Sequence, residues 1–417
     1  MNSLFDIDPY PDGLKILFIG SGTSTHTYSW INLLDETRMN VRLFALPGGN
    51  PPSYWNVRTY TTVLSRYSPE ADTPTRRRVY YQPSFGIRIL NRLWDTFVPG
   101  PDQDPSRIEK KLAEVIFKWK PDIIHTLGFD SASFFYQQVC DKHGVGDIGK
   151  WVAQARGGPD FKLNQYLPEK MEKIRRVLRN CDKFIADNQP NYDFAIANGL
   201  DASKLSLLGV VSGMGGVDVE QLKGMWTDLP SRRGRIIVLP KTYEAPSSKA
   251  LPVFEAIKLA WDEIKPCEIH MLWMVQPEVR IWHQTLPIEI QQACHLYERI
   301  PRQQALDLVA RARVLLAPSL TDGIPNSMLE AMALGAFPVV SPLDTITPVV
   351  REPENVLFAR NLYPHEIASS LIRAMNNDRL VDDAAKANLQ LVSRISNRAQ
   401  IRPKLIEFYE SLASLLP

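Results

Sequence analysis

The chain has 417 residues, with 48 lysines and arginines against 46 aspartates and glutamates, and 44% of it is hydrophobic. Its length predicts two domains, and a net charge of +2 argues against a nucleic-acid-binding protein, which would concentrate basic residues on one face. No apolar run approaches the roughly 20 residues that a membrane span needs, and the first residues lack the basic start and apolar core of a secretory signal. The four cysteines form no CxxC pair. We therefore expect reduced thiols in a cytoplasmic protein, with at most a peripheral contact at the inner face of a membrane.

Short apolar runs alternate with helical segments along the chain. In the first half, strands are predicted at 15–20, 40–46, 79–82, 122–126, 150–155, 183–186 and 205–208, and helices at 28–36, 107–120, 131–143, 168–180 and 192–198. In the second half, strands are predicted at 235–239, 268–275, 296–298, 313–317 and 338–340, and helices at 249–264, 277–294, 301–311 and 402–415. This alternation predicts parallel sheets that helices cover on both faces. We expect two doubly wound α/β domains, residues 1–214 and 215–399, with a cleft between them.

The most informative segment runs from 318 to 340 and reads as a strand, a loop, a helix and a second strand. Gly323 permits a close approach of backbone to ligand, and Asn326 or Ser327 can cap the helix. Exposed amides at the start of a helix form a pocket suited to an anion such as a diphosphate. The amides expected in this pocket are those of Ser327, Met328 and Leu329.

Within this segment, Asp322 is followed after seven residues by Glu330, in the sequence DGIPNSMLEAMALGAFPVV. The block resembles the E-x7-E signature of retaining GT-B glycosyltransferases, most closely family 4. Weaker landmarks agree along nearly the whole chain: the opening strand and Gly-x-Gly loop, PDIIH at 121–125, GGVD at 215–218, and basic residues after the first strand of the second domain. The resemblance implies the GT-B fold, with two Rossmann-like domains and a C-terminal helix, residues 400–417, that crosses back to the first domain.

The resemblance also implies roles for individual residues. In that family the second acid of the motif holds the ribose of a nucleotide sugar, which implies this role for Glu330, and the first contacts the transferred sugar, which implies Asp322 in place of the usual Glu. Lys241 and Lys249 match the basic positions that face the diphosphate. His125 ends a strand and is implied to contact the donor sugar. From the residues alone, Glu330 could instead close a capping box three residues after Ser327.

Three further residues are candidates for the first-domain wall of the cleft. Gly22 lies in the loop after the first strand, where its amide could face the phosphate. His26 and Arg156 are expected near the acceptor.

Two motifs are interpreted as structural. The sequence Asp102-Gln103-Asp104 has the DxD form of metal-dependent glycosyltransferases, but acidic residues before a helix also favour the helix start, so no metal is expected. The run 76–78 is three arginines, interpreted as solvated surface, with an acceptor or phospholipid contact as the alternative.

The sequence thus predicts a retaining, metal-independent glycosyltransferase without a cofactor. It would move a hexose from a UDP-sugar to a glycan or lipid-linked acceptor in bacterial envelope or exopolysaccharide biosynthesis, with domain closure about residues 213–216. Three alternatives remain open: a UDP-sugar epimerase of the same architecture, a silent nucleotide-sugar-binding partner, and an NAD-dependent oxidoreductase. The last of these expects a third glycine that the Gly20–Gly22 loop lacks.

Overall fold

The computed structural model describes residues 4–47, 51–52, 54–63, 73–80 and 105–414. The first domain is built on seven parallel strands. They are β1 (Lys15–Ser21), β2 (Asn40–Leu46), β3 (Arg58–Val63), β4 (Arg76–Tyr80), β5 (Ile123–Leu127), β6 (Lys150–Ala155) and β7 (Lys183–Ala186). Their order in the sheet is β4-β3-β2-β1-β5-β6-β7. The helices of this domain are α1 (Thr25–Ile31), α2 (Pro105–Trp119), α3 (Phe134–His143), α4 (Pro168–Asn180) and α5 (Gln189–Ala197).

The second domain is built on six parallel strands. They are β8 (Ile236–Leu239), β9 (Glu268–Met271), β10 (Cys294–Leu296), β11 (Val314–Ala317), β12 (Phe337–Val340) and β13 (Leu357–Phe358), in the order β10-β9-β8-β11-β12-β13. The helices are α6 (Val219–Gly224), α7 (Leu251–Ile264), α8 (Pro277–Gln284), α9 (Ile288–Ala293), α10 (Arg302–Arg311), α11 (Asn326–Leu334), α12 (Pro364–Asn376) and α13 (Asp378–Ile395). A final helix, α14, spans Arg398–Ala413.

The first sheet is buried on both faces, which explains its nearly continuous apolar strands. Leu17 and Ile19 of β1 join one hydrophobic cluster with α2 and α4, and Ile16 and Phe18 join another on the opposite face. That second cluster contains Leu405 of the final helix, so α14 crosses back and covers the first domain. The predicted fold class is confirmed.

The two domains are joined at a pair of glycines in the left-handed region. Gly215 and Gly216 have φ of 76° and 88°, where a residue with a Cβ is strained. A Cβ on Gly215 would lie 2.3 Å from Leu33, and one on Gly216 would lie 2.7 Å from the Ser396 carbonyl oxygen. These glycines therefore let the chain pass tightly between the first domain and the start of α14.

Several predicted elements differ from the structure. The region of the predicted strand 205–208 forms only a single bridge from Leu205 to Phe184. The predicted helix 277–294 is two helices separated by Thr285, Leu286 and Pro287, because proline terminates a helix in the preceding turn. Strands β3 and β13 and helices α6, α12 and α13 were not predicted. Within the described residues, no helix is both long and apolar enough to cross a bilayer.

Candidate functional site

A cleft of about 740 Å³ lies between the two domains. It is formed where the carboxyl ends of the parallel strands of both sheets face each other, the usual ligand position in such folds. The first domain contributes residues around His26 and Arg156, and the second contributes residues around Lys241 and Asp322. The geometry thus brings together residues that are as far as 300 positions apart in the sequence, such as His26 and Asn326.

Helix α11 begins at the floor of this cleft without a side-chain cap. Its N-cap residue is Pro325, and no side chain in the described ranges accepts a hydrogen bond from its first turn. The predicted caps Asn326 and Ser327 instead occupy the first helical positions and line the cleft. Because the first amides of a helix have no partner within it, these two amides are available to an anion.

The predicted anion pocket is therefore displaced by one residue. The amides of Met328 and Leu329 donate to the Pro325 carbonyl oxygen, each at 3.1 Å, and both side chains are buried in the core. Neither residue lines the cleft in the structure. The expectation for Met328 and Leu329 is corrected, because a 3₁₀-like first turn already satisfies their N–H groups.

Glu330 lies on the cleft wall beside Arg302. The Arg302 guanidinium donates to its carboxylate, and only 16% of the Glu330 side chain is exposed. Burial raises the pKa of Glu330, and the Arg302 cation opposes the rise. Because Ser327 is not the N-cap and Glu330 bonds an arginine of α10, the capping box is not formed.

Lys241 and Asp322 form an ion pair at the opposite end of this wall. The Lys241 ammonium donates to the Asp322 carboxylate and, at 2.9 Å, to the Ser319 hydroxyl. Both members of the pair line the cleft, and less than a quarter of either side chain is exposed. A cation and an acid that were assigned to different parts of the donor are therefore in direct contact.

Lys249 occupies a different position from the one expected. Its ammonium lies 3.2 Å from the Glu244 carboxylate, and its backbone is held by the Asn361 amide. It is not among the residues that line the cleft. The expectation that Lys249 faces the diphosphate is corrected, because its ammonium pairs with Glu244, and neither residue lines the cleft.

The expectation that His125 contacts the donor sugar is also corrected. It is fully buried, packed against Trp30 and Phe18, and its Nδ1 lies 2.7 Å from the Tyr409 hydroxyl. Burial holds the pKa of His125 well below its usual value. Its strand end points into the apolar layer that α14 covers, so His125 is a core residue and does not reach the cleft.

His26 and Arg156 both line the cleft from the first domain, as expected, and face the second domain. The Asn326 amide donates to His26 Nδ1 at 3.2 Å, and burial, together with the Arg156 cation, lowers the pKa of His26 to about 4. Burial lowers the pKa of Arg156 to about 10, which leaves it charged. Its Nη2 atom is buried and finds no partner among the described residues. His26 is thus a neutral link between domains. Arg156 donates through Nε to Gln154 and through Nη1 to Thr27, and keeps one buried nitrogen without a partner among the described residues.

The two predicted glycines serve different purposes. Gly22 is buried in the turn between Ser21 and Ser24, which line the cleft. Gly323 permits a close approach, but to protein: a Cβ there would lie 2.3 Å from Asp187 Oδ2 and 2.9 Å from the Gly157 Cα. Gly323 therefore allows the two domains to touch below the cleft.

Two buried carboxyls at this contact were missed by sequence reasoning. Burial, together with the nearby acids Asp322 and Asp160, raises the pKa of Asp187 to about 7, and the Gly157 amide donates to it at 2.6 Å. Burial raises the pKa of Asp160 to about 6, opposed by the amides of Arg156 and Phe129. Their only sequence signal was that Asp187 directly follows the predicted strand 183–186 and that Asp160 lies in the loop after the predicted strand 150–155.

Trp273 and Arg302 were missed as well. Trp273 follows β9 with φ of 66° and is 46% exposed at the cleft. A non-glycine residue in this region is strained, and such residues cluster at ligand sites. An aromatic residue at the end of a strand was the available signal, whereas nothing local marked Arg302 as the partner of Glu330.

Of the two motifs interpreted as structural, the structure describes only one. Asp102 and Asp104 lie outside the described residues. The arginines 76–78 are three of the five residues of strand β4 and are only half-exposed, and Arg77 pairs with Asp6 at 2.9 Å. The run is therefore part of the sheet edge and is not a freely solvated loop.

Part of the second domain matches a known family, and several solved structures share the fold. Residues 248–377 match the family model described as Glycosyl transferases group 1. No curated protein matches the chain. Among solved structures, HepE from Anabaena in complex with UDP and glucose is 13% identical with a TM-score of 0.66, covering 95% of this chain and 100% of its own. Sucrose-phosphate synthase from Thermosynechococcus elongatus is 14% identical with a TM-score of 0.67, covering 97% and 100%.

A UDP-N-acetylglucosamine 2-epimerase is similar in fold as well, at 14% identity and a TM-score of 0.57, covering 97% of this chain and 98% of its own. At 13–14% sequence identity, the structural similarity establishes the fold alone. The chain thus has the two-domain fold of these proteins, and its residues 248–377 match the Glycosyl transferases group 1 family model.

Proposed function

We propose that the cleft binds a UDP-sugar and that the protein transfers its hexose, with retention and without a metal ion, to a glycan or lipid-linked acceptor. The observation that carries the proposal is the uncapped start of α11, flanked by Glu330 and Asp322 in one cleft. A helix start binds phosphate, and carboxylates accept hydrogen bonds from ribose and sugar hydroxyls.

In this proposal, these groups define one orientation of the donor in the cleft. The diphosphate lies at the Asn326 and Ser327 amides, the ribose at Glu330, and the uracil near the exposed face of Trp273. The sugar then extends toward Asp322, and Arg156 lies across the cleft from it. The Anabaena HepE structures that share this fold are complexes with UDP and glucose, UDP, and UDP-glucose, which supports the choice of nucleotide.

Binding of the donor would break the ion pair between Lys241 and Asp322. A diphosphate carries more negative charge than one carboxylate, so it draws the Lys241 ammonium away from Asp322. The freed carboxylate then accepts a hydrogen bond from a sugar hydroxyl. Binding of the phosphate thereby prepares the position that orients the sugar, and an empty cleft keeps both charges paired.

The same groups stabilise the departing nucleoside diphosphate. Negative charge develops on it as the glycosidic bond breaks, and Lys241, Arg156 and the amides of α11 surround that position. The acceptor hydroxyl attacks the sugar on the face that the diphosphate leaves, and the diphosphate takes its proton. We place this reaction in the cytoplasm, in envelope or exopolysaccharide synthesis.

The direct experiment incubates the protein with UDP-, GDP- and ADP-sugars and measures release of nucleoside diphosphate. We expect slow hydrolysis of one or more UDP-hexoses, and tight binding of UDP itself by calorimetry. Absence of binding to every nucleotide in the panel would contradict the proposal.

Glu330→Gln tests the ribose contact. Loss of a charge-assisted hydrogen bond costs about 1.5–3 kcal/mol, so we expect the KM for the nucleotide sugar to rise about 10- to 150-fold. Thermal stability should change little, since Arg302 is 41% exposed and can be hydrated. The matched control is Glu298→Gln, which removes the acid of another arginine pair, with Arg280 at 2.6 Å, outside the cleft. Unchanged donor affinity with lost stability would assign Glu330 a purely structural role.

A UDP-sugar epimerase is the second candidate, and one observation favours it. Epimerisation needs a group that exchanges protons near neutral pH, and Asp187, with a pKa of about 7, lies beside the cleft. The same incubation separates the two functions when it is repeated with UDP-N-acetylglucosamine alone. Formation of an epimer with the diphosphate intact would favour the epimerase over the transferase.

A further inference from the structure

Three side chains that can bind a metal, one glutamate and two histidines, meet at the edge of the second sheet, away from the cleft. His270 of β9 and His295 of β10 are register partners on parallel neighbouring strands, so their side chains leave the sheet on the same face. Glu268 precedes His270 by two residues and shares that face because strand side chains alternate. One ligand atom from each of the three residues lies within 4.8 Å of the other two.

His270 is the buried centre of this cluster. Its ring is 5% exposed, and its Nε2 atom is buried without a hydrogen-bond partner among the described residues. The other ring nitrogen, Nδ1, lies 3.0 Å from the Tyr297 hydroxyl. A buried N–H without a partner is rarer than a buried acceptor without one. The tautomer that carries its proton on Nδ1 donates it to the Tyr297 hydroxyl and leaves a lone pair on Nε2 for a metal ion.

That lone pair points at the other two residues. The Nε2 atom of His270 lies 3.4 Å from Glu268 Oε2, and the Nε2 atom of His295 lies 3.7 Å from the same oxygen. The two imidazole rings are nearly parallel, at 16°, with centroids 4.6 Å apart. Nothing in the proposed transferase reaction uses this arrangement.

We propose that Glu268, His270 and His295 form a binding site for a divalent transition metal of the zinc type. Two imidazoles and one carboxylate suit zinc better than magnesium or calcium, which prefer all-oxygen ligands. Zinc bonds of about 2.0–2.1 Å in a tetrahedron place the ligand atoms about 3.3 Å apart, close to the separations from Glu268. His295 is 48% exposed and can turn its ring to close the remaining distance.

The site leaves a fourth position to solvent. Glu268 is 60% exposed, so an ion can enter without moving the sheet. A bound ion would link β10, an edge strand of three residues, to β9. Tyr297 would fix the orientation of the buried ligand, as partners of metal-bound histidines commonly do.

Two cysteines near the cluster define the main competing site. Cys267 and Cys294 neighbour the proposed ligands in sequence but pack against the core cluster on the opposite face of the strands. Because successive side chains of a strand point to opposite faces, both thiols point away from the three proposed ligands, and a double serine variant tests them directly.

The experiment uses the full chain, purified without a polyhistidine tag and stripped with a chelator. Zinc is titrated by calorimetry, and cobalt is added separately to record the visible absorption that reports tetrahedral coordination. We expect one ion per chain, a rise in the melting temperature with zinc, and a cobalt spectrum of the tetrahedral type.

Variants then assign the ligands. His295→Ala and Glu268→Gln, both at exposed positions, should abolish the spectrum and weaken zinc binding by at least tenfold, and Tyr297→Phe should weaken it by about 10- to 100-fold. His365→Ala, at an exposed histidine outside the cluster, and the double variant Cys267→Ser with Cys294→Ser should bind as the parent does. Absence of binding, binding unchanged by His295→Ala, or binding lost in the cysteine variant would each overturn the proposal.

Discussion

The contact between domains below the cleft can be tested with a single methyl group. A Cβ at Gly323 would lie 2.3 Å from Asp187 Oδ2, and one at Gly158 would lie 2.1 Å from Thr321 Oγ1. Neither glycine has a positive φ, so alanine suits the local backbone at both positions. The added methyl therefore acts on the packing between domains and not on the loop that carries it.

The size of the effect follows from the distances. An ordinary van der Waals contact needs about 3.4 Å, so the facing surfaces must separate by about 1 Å. Asp187 cannot yield easily, because it is buried and holds the Gly157 amide at 2.6 Å. Overpacking of this kind costs about 1–3 kcal/mol. If the cost is borne by the closed arrangement, the closed population falls about 5- to 150-fold.

The assay combines turnover with small-angle scattering. We expect Gly323→Ala and Gly158→Ala each to lower kcat/KM for the donor sugar by that factor, and to keep a larger radius of gyration than the parent at saturating UDP. The melting temperature should change little, since neither domain core is altered. Gly224→Ala is the matched control, because a Cβ there meets nothing within 4 Å. Full activity in both variants, or no difference in scattering at saturating UDP, would refute closure at this contact.

Three further predictions concern other parts of the molecule. Tyr409→Phe should destabilise the protein to urea by about 1–3 kcal/mol, because the hydroxyl satisfies both His125 Nδ1 and the Trp30 indole N–H; unchanged stability would mean that water replaces it. Burial and nearby acids raise the pKa of Asp187 to about 7. The protonated carboxyl therefore makes its full contribution to stability near pH 4, and this contribution is lost as the pH rises to 7. The melting temperature of Asp187→Asn relative to the parent should increase over that range, and a constant difference would contradict the raised pKa. Turnover should survive excess EDTA, and loss of activity that manganese restores would contradict the metal-independent mechanism.

The sequence by itself determined the class of the fold. Burial of a parallel strand on both faces requires a continuous apolar run, and this local signal predicted β1 and β12 close to their observed limits. Strand β3 was not predicted because only Tyr60 and Val63 of Arg58–Val63 are apolar, and such a segment does not stand out beside fully apolar strands. The spacing of Asp322 and Glu330 also located one wall of the cleft, because a strand, loop and helix fix neighbouring residues relative to one another.

Only the tertiary structure decided which distant residues meet. The sequence placed His125 at a strand end, but α14 returns 284 residues later to cover it with Tyr409. The sequence likewise did not show that Lys249 pairs with Glu244, or that Lys241 pairs with Asp322. Periodicity records whether a residue is buried, and it carries no information on which element buries it. That depends on how the sheets are ordered and how the two domains face each other, so the contacts of the cleft emerge only when the chain is folded.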